Sequence, residues 1–183
     1  MLKPYYTIIG KVALVSVFVL MYFACMPAIA NVESSYQSAT KTEVITVPDG
    51  QVLHAIVTTP LDTKYITSGQ TISATLERDF CYNSKMIATV DSMIYGTVIS
   101  VSRSQKGKPA EILLRFNQLI TPYGLQIPIT AIVKTKDKSG KLTGDTTSYS
   151  DENGNIDIPV AASIDLILTQ PITVNPEVYS SNY

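Results

Sequence analysis

The feature that most constrains the fold is a stretch in which apolar and polar side chains alternate. Along residues 70–80 (QTISATLERDF), one side of the chain carries Ile72, Ala74, Leu76 and Phe80. The other side carries hydroxyl and acidic residues, and only Arg78 breaks the pattern. A strand with one face in a core and one in water has this period of two. A helix is disfavoured, because β-branched and hydroxyl side chains lose rotamer freedom there or compete for backbone hydrogen bonds.

Similar patterns recur along the chain. They predict further strands over 43–48, 51–59, 86–90, 93–102, 110–120, 125–136, 163–168 and 172–174. Asp49-Gly50 predicts a two-residue hairpin between the first two of these strands. No stretch after residue 30 has the 3.6-residue period of an amphipathic helix. The sequence therefore predicts an all-β fold, a small antiparallel β-barrel or sandwich of about eight strands.

Two connections between the strands are also predicted. Residues 81–85 are expected to form a turn after the first alternating strand. Residues 138–155 are long, polar and rich in turn-forming side chains, and are expected to form a mobile loop.

The first thirty residues have the three parts of a secretory signal. Lys3 and Lys11 give a positive start, residues 12–25 are uncharged, and Ala28-Ile29-Ala30 has the small-x-small pattern of a cleavage site. We expect a hydrophobic signal helix over 1–30 with cleavage after Ala30. The domains that follow are a polar linker over 31–42, the β domain over 43–175 and a loose tail over 176–183. An uncleaved membrane anchor, or a lipid attached to Cys25, are the alternatives.

Composition after cleavage excludes several classes of protein. Twelve basic and fifteen acidic residues would remain, a net charge of −3, which is no electrostatic footprint for nucleic acid. Cys81 would be the single remaining cysteine, so no intramolecular disulfide can form. We expect its thiol to be buried and inert, and a cross-link between two chains is the alternative. Export places the protein in the periplasm or cell envelope, with membrane contact through the N-terminal segment only if that segment is uncleaved.

No residue pattern points to catalysis. His54 is the only histidine, and any Ser-His-Asp or Cys-His arrangement would have to use it. It lies in mid-strand, in the opposite phase to Leu53 and Ala55, so a solvated position is expected. One histidine and one cysteine do not make the usual zinc ligand set, and no glycine-rich phosphate loop occurs. We therefore expect no enzyme, no cofactor, and no catalytic, cofactor-binding or metal residue.

Two polar motifs leave alternatives open. The segment DENGNID has oxygen-bearing side chains at alternate positions, as at the start of a calcium loop: Asp151, Asn153, Asn155 and Asp157. Ile156 stands where the EF-hand pattern has glycine, and Ala162 where it has glutamate. The competing interpretation is a hairpin turn at Asn153-Gly154.

The second motif is a lysine series expected to leave one strand face: Lys134, Lys136, Lys138 and Lys141. It is typical of a solvated edge protected against strand pairing. Docking to an acidic partner or a lipid headgroup is the alternative.

Several short motifs resemble the C-terminal barrel of TrbI-like conjugal transfer proteins, which form part of type IV secretion channels. They are Gly69-Gln70, then Ala74-x-Leu76-x-x-Asp79, then Thr89-Val90-Asp91-Ser92 leading to Gly96, then Pro122-Tyr123-Gly124. Thr89 stands where the family has proline and Asp91 where it has glycine, and the family's long antenna helix has no counterpart. The resemblance covers residues 47–133 and implies a shared barrel, while fold alone does not fix function.

The main hypothesis is therefore a non-enzymatic scaffold or interaction module of the bacterial cell envelope. Its expected partners are envelope proteins or further copies of itself, within a secretion or conjugation assembly, and strand edges and the 137–155 loop would meet them. The alternative is a secreted domain that binds a ligand such as a glycan, with or without calcium.

Overall fold

The computed structural model describes residues 44–175, which form strands, turns and loops and contain no helix. The predicted signal peptide (1–30), linker (31–42) and tail (176–183) lie outside the described residues. The strands are β1 (Ile45–Val47), β2 (Val52–Val57), β3 (Leu61–Asp62), β4 (Thr71–Leu76), β5 (Phe80–Tyr82), β6 (Lys85–Ala88), β7 (Met93–Ser102), β8 (Glu111–Ile120), β9 (Gln126–Val133), β10 (Lys141–Thr143), β11 (Asp157–Ile158), β12 (Ser163–Leu168) and β13 (Ile172–Val174). Over this range there is accordingly no helix of the length and apolarity needed to cross a membrane.

Six strands close into an antiparallel barrel in the order β8, β7, β4, β2, β12, β9. The closing contact is between β8 and β9, where Arg115 lies opposite Ile132 and Ile120 opposite Gln126. Closure pairs both sides of each barrel strand and so removes free sheet edges along the barrel wall. The predicted all-β fold is confirmed, and the architecture is the barrel and not the sandwich.

Aliphatic side chains fill the barrel interior. The alternating strand points Ile72, Ala74 and Leu76 inward, each 2% exposed or less. In β9 every second residue is buried too: Ile127, Ile129, Ala131 and Val133. A barrel of this size is filled by its own side chains, and each buried Leu, Ile or Phe contributes about 1.5–3 kcal/mol.

The connection between β4 and β7 differs from its prediction. β4 ends at Leu76, and Phe80 is buried as part of the next strand, β5. Residues 81–85 are not a simple turn, because β5 and β6 form a hairpin whose turn residues Asn83 and Ser84 have φ of 50° and 61°. Such left-handed turns match the twist of two antiparallel strands. The predicted burial of Cys81 is also wrong: its neighbour Phe80 points into the core, so Cys81 points outward and is exposed.

The predicted hairpin at Asp49-Gly50 is wrong. β1 pairs with β13, with Ile45 opposite Val174, while β2 pairs with β12 and β4. β2 is paired with β12 over Val52–Ile56 and with β4 over Ala55–Val57, and β1 is not among its neighbours. The chain does turn at this point: Gly50 has φ of +81°, and its N–H donates to the carbonyl of Leu168 at 2.8 Å.

Three connections meet at one end of the barrel, which we call the loop end: residues 58–70, 103–110 and 134–162. β3 of the first pairs with β11 of the third. Ala110 of the second donates its N–H to the carbonyl of Gly154 at 2.8 Å. The segment 138–155, predicted to be a mobile loop, instead contains β10, which extends the sheet beyond β8. The three connections therefore form one hydrogen-bonded layer around the buried residues Leu61, Ile156 and Ile158.

Candidate interaction surface

His54 lies on the outer face of the barrel, as expected for a solvated position. It stands opposite Asp165 in the β2–β12 pairing, and its Nδ1 is 2.7 Å from Asp165 Oδ1. The Nζ of Lys134 is 3.6 Å from the other carboxylate oxygen of Asp165. The two cross-strand partners are each about one-third exposed, at 30% and 39%. His54 and Lys134 thus share Asp165 in a partly solvated ion-pair group.

Among residues 44–175, no nucleophilic side chain is hydrogen-bonded to His54. Ser163 lies two residues from Asp165 on the same face, but its hydroxyl donates to Glu77 Oε2 at 2.9 Å. Cys81 lies in the connection at the opposite end of the barrel from the loop end. A hydrolase would need a nucleophile within hydrogen-bond reach of the histidine. The geometry therefore supplies an acid–histidine pair without a third member.

The DENGNID segment forms a tight turn closed by Asp151. The carboxylate Oδ1 of Asp151 accepts the backbone N–H groups of Asn153 and Asn155, each at 2.9 Å. Lys64 Nζ donates to Oδ2 at 2.9 Å. These hydrogen bonds hold the pKa of Asp151 well below its usual range, and the bond from Lys64 has the largest effect. This is the hairpin-turn interpretation, since Gly154 also donates its N–H to the carbonyl of Asp151 at 2.9 Å.

Of the other side chains that the calcium-loop alternative would use, that of Asn155 is hydrogen-bonded to Asp151. Asp157 belongs to β11 and lies opposite Asp62. Asn155 directs its side-chain Nδ2, a donor, at Asp151 Oδ2 over 3.1 Å. Within residues 44–175 no three His, Cys, Asp or Glu side chains are grouped so that they could hold a metal ion.

The four lysines of the predicted series do not share a strand face, because β9 ends at Val133. Lys134 contacts Asp165, and Lys141 donates to Glu111 Oε1 at 3.1 Å. Lys136 and Lys138 are exposed on either side of Asp137. Hydrogen bonds from Thr135 and Ser139 lower the pKa of Asp137 to about 2. Lys134 and Lys141 are therefore paired with carboxylates, whereas the ion pairs formed among residues 44–175 include neither Lys136 nor Lys138.

A different feature, which the sequence did not single out, leaves backbone available for pairing. β7 is ten residues long, but its β4 partner covers only Met93–Thr97. The last bonds on that side join Val98 to Gln70 at 2.9 Å and to Gly69 at 2.8 Å. Ser100–Ser102 pair with β8 on one side, and Ile99 bulges out of that pairing. No strand of the described chain pairs with the other side of residues Ile99–Ser102. We call these four residues the open edge.

The side chains of the open edge are small or β-branched and uncharged. A β-bulge lies between Val98 and Ser100, and the extra residue, Ile99, is 40% exposed. Ser100 and Ser102 are exposed, and Val101 packs against the core. Bulges are over-represented at sheet edges and bend the strand that carries them.

Next to the open edge, the β7–β8 hairpin carries a group of exposed basic residues that we call the basic tip: Arg103, Lys106 and Lys108. A two-residue turn bonds Gln105 to Lys108, with Gly107 at φ of +79°. No Asp or Glu occurs between Asp91 and Glu111 in the sequence. The ion pairs formed among residues 44–175 do not include any of the three. The tip thus presents unneutralised positive charge beside an unpaired strand edge.

The surface of the described residues carries, among others, two open clefts. One of about 320 Å³ lies on the barrel wall and is lined by Asn117, Gln118, Gln126 and Pro128. The other, of about 360 Å³, lies at the loop end and is lined by Pro60, Asp62, Tyr65, Ile66, Gln70 and Asp157. The second adjoins the open edge, because Gln70 is the residue whose carbonyl accepts the N–H of Val98.

Comparisons with known proteins find likeness at the level of structure. No protein-family model matches the sequence, and no curated protein matches it either. Among solved structures, the chain is similar to ComB10 of the Com type IV secretion system of Helicobacter pylori. The two are 13% identical with a TM-score of 0.47, over 69% of this chain and 88% of that chain. The likeness is distant and partial.

Proposed function

We propose that this chain is a non-enzymatic interaction module of the bacterial cell envelope, linked to a secretion or conjugation assembly. The observation that carries the proposal is the combination of a filled, closed barrel with an open edge at its loop end. The motifs of residues 47–133 that resemble TrbI-like barrels support the link to secretion. The signal-like residues 1–30 support export to the periplasm or envelope, with cleavage after Ala30.

The filled interior favours a role for the outer surface. Leu53, Ile94 and Phe116 from three different strands are each 1% exposed or less. A barrel that binds a ligand inside needs an open lumen, and this one is packed. Function is then expected at the loops and edges, where binding residues concentrate on rigid scaffolds.

The chemistry of the surface favours binding over catalysis. The His54–Asp165 pair has no bonded hydroxyl or thiol, and the hydroxyl of Ser163 is committed to Glu77. An uncharged open edge beside a basic tip is instead suited to hold another protein. We therefore assign envelope protein partners, or further copies of this chain, to the loop end.

Cross-linking of the full-length chain in intact bacteria tests this function. We expect a discrete envelope complex, larger than the chain itself, in detergent extracts. The variant Ile99→Lys should reduce its yield several-fold, because a charge would be placed on the open edge. Val90→Lys is the matched control, since Val90 is 42% exposed, close to the 40% of Ile99, but lies at the other end of the barrel. Recovery of a monomer only, in wild type and variants alike, would overturn the proposal.

A second candidate is a secreted ligand-binding domain. It is favoured by one observation: Tyr65 is 80% exposed and lines the loop-end cleft together with Asp62 and Asp157. An exposed aromatic ring beside carboxylates is able to stack on a sugar and accept its hydroxyl groups. A glycan array with wild type and Tyr65→Ala, read with and without calcium, tests it. Binding that Tyr65→Ala abolishes would support this candidate, and an array without bound glycans would reject it.

A further inference from the structure

We propose that the open edge receives an extended, acidic segment of a partner protein, which adds to β7 as an extra strand of the sheet. This inference rests on the proposed function and names the chemistry of the partner. It draws on three properties of the loop end: unpaired backbone, accessible small side chains and unneutralised positive charge.

The backbone supplies the first property. Ser100–Ser102 pair with β8 on one side, with Ile99 as the bulge residue, while pairing on the side of β4 ends at Val98. An exposed strand edge offers N–H and C=O groups to an incoming strand, and such strand addition is a general mode of peptide recognition. The edge contains no proline, so each of its residues keeps its N–H group. A docked segment would extend the sheet that β10, β8 and β7 already form beyond the barrel.

The side chains supply the second property. Serines at positions 100 and 102 leave room for the partner's side chains, and both are exposed. Ile99 is 40% exposed in a segment where Val98 is 1% exposed. A docked strand would cover Ile99, and burying such a side chain favours association.

The charge of the basic tip distinguishes between three kinds of partner: a second copy of this chain, an acidic segment and an anionic membrane. Two copies of this chain paired antiparallel through their open edges would place each basic tip at the far end of the other copy's edge. Residues 92–110 contain no Asp or Glu, so this segment of the other copy offers the tip no carboxylate. An acidic segment would instead pair with Arg103, Lys106 and Lys108, which have no carboxylate partner within residues 44–175. A membrane of anionic lipid would use the basic tip but would leave the backbone of the edge unpaired.

The test uses the full-length chain and synthetic peptides as probes. The first peptide alternates valine and threonine and is flanked by glutamates; the second has lysines in place of the glutamates; the third is the first with a central proline. Binding is followed by fluorescence anisotropy of the labelled peptides and by hydrogen exchange of the chain. We expect the glutamate peptide to bind at least about tenfold more tightly than either control and to weaken several-fold between about 0.05 M and 0.5 M salt. Exchange should slow at residues 99–102.

Two matched substitutions test whether peptide binding depends on the charge of the basic tip and not on a change in the stability of the fold. Arg103→Glu should weaken binding of the glutamate peptide about tenfold and strengthen binding of the lysine peptide. Arg78→Glu, an exposed arginine just after β4 at the opposite end, should leave both affinities unchanged. Since both positions are exposed, both variants should keep the wild-type melting temperature.

Several results would overturn the inference. These are equal binding of glutamate and lysine peptides, unchanged exchange at residues 99–102, a dimer formed through the edge, or binding to phosphatidylglycerol vesicles that Arg103→Glu abolishes while no peptide protects the edge. The two proposals fail separately. A cross-linked envelope complex that survives both Ile99→Lys and Arg103→Glu keeps the function and rejects the edge. If peptides protect the edge but no envelope complex is found, the strand-docking inference is kept and the proposed function is rejected.

Discussion

Lys64 donates from Nζ to Asp151 Oδ2 at 2.9 Å and joins two connections that lie 87 positions apart in the chain. The same two connections are paired as strands β3 and β11, where Asp62 lies opposite Asp157. The Asp151 turn also lies against the β7–β8 connection, because Ala110 donates its N–H to the carbonyl of Gly154 and Ser104 donates its hydroxyl to the carbonyl of Asn153. The carboxylate of Asp151 has a structural role, because it accepts hydrogen bonds from Lys64, from the backbone of its own turn and from the side chain of Asn155.

The first prediction concerns the pH dependence that follows from this contact. The folded pKa of Asp151 lies below the value of about 3.9 expected in the unfolded chain. The stabilisation is therefore present above about pH 4 and is lost as the pH falls through the folded pKa. Asp151→Asn removes this dependence, so wild type should lose more stability than the variant between about pH 5 and pH 3. Urea midpoints against pH measure it. Glu152→Gln, at an exposed neighbour, is the control, and parallel curves for wild type and Asp151→Asn would contradict the prediction.

The second prediction concerns Gly96 of β7, which lies opposite Phe116 of the neighbouring strand β8. A Cβ added at Gly96 would lie 2.5 Å from the carbonyl oxygen of Arg115 and 2.8 Å from Cδ1 of Phe116. Backbone cannot move aside cheaply, so Gly96→Ala should lower the free energy of unfolding by about 1–3 kcal/mol. Thr71→Ala, at an exposed strand position, should change it by less than about 0.5 kcal/mol. Urea denaturation compares the two. An unchanged midpoint for Gly96→Ala would show that β7 and β8 are further apart than described.

Local patterns predicted the strands better than their partners. The bounds 163–168 and 172–174 are confirmed residue for residue, and Ile72, Ala74 and Leu76 lie inward as alternation required. Alternation is a local property, because each residue's face follows from its neighbours. Pairing is not local: Asp49-Gly50 is a good turn sequence, but β1 lies beside β13, more than a hundred residues away.

The candidate surface was harder to predict for the same reason. The strand 93–102 was predicted with its observed bounds. That its last four residues lack a partner on one side depends on where β4 begins, at Thr71, which is a relation between two strands. A comparison of lengths, ten residues in β7 against six in β4, was the available indication. The exposed Cys81 was missed because a two-stranded hairpin outside the barrel buries only one of its faces.

The third prediction concerns Thr63, which is fully buried at the loop end. Its hydroxyl accepts the N–H of Ile156 at 3.0 Å and donates to the carbonyl of the same residue at 3.3 Å. Thr63→Val keeps the shape and leaves a buried N–H without that partner, so stability should fall by about 1–3 kcal/mol. Thr63→Ser retains the hydroxyl and should lose clearly less. Equal losses in urea denaturation would mean that packing, and not the hydrogen bond, holds this connection.

The last prediction concerns Ala161, which connects the loop end to β12. Ala161 has φ of +69°, and its N–H donates to the carbonyl of Val57 at 2.9 Å. A left-handed conformation costs a residue with a Cβ roughly 1–2 kcal/mol, while glycine loses roughly 0.5–1 kcal/mol of extra chain entropy on folding. The difference favours glycine, so Ala161→Gly should raise the free energy of unfolding by about 0.5–1 kcal/mol. Ala162→Gly is the control: Ala162 is 8% exposed and is not among the left-handed residues, so this substitution should destabilise. A loss of stability in Ala161→Gly comparable to that in Ala162→Gly would show that the turn before β12 does not hold Ala161 in the left-handed region.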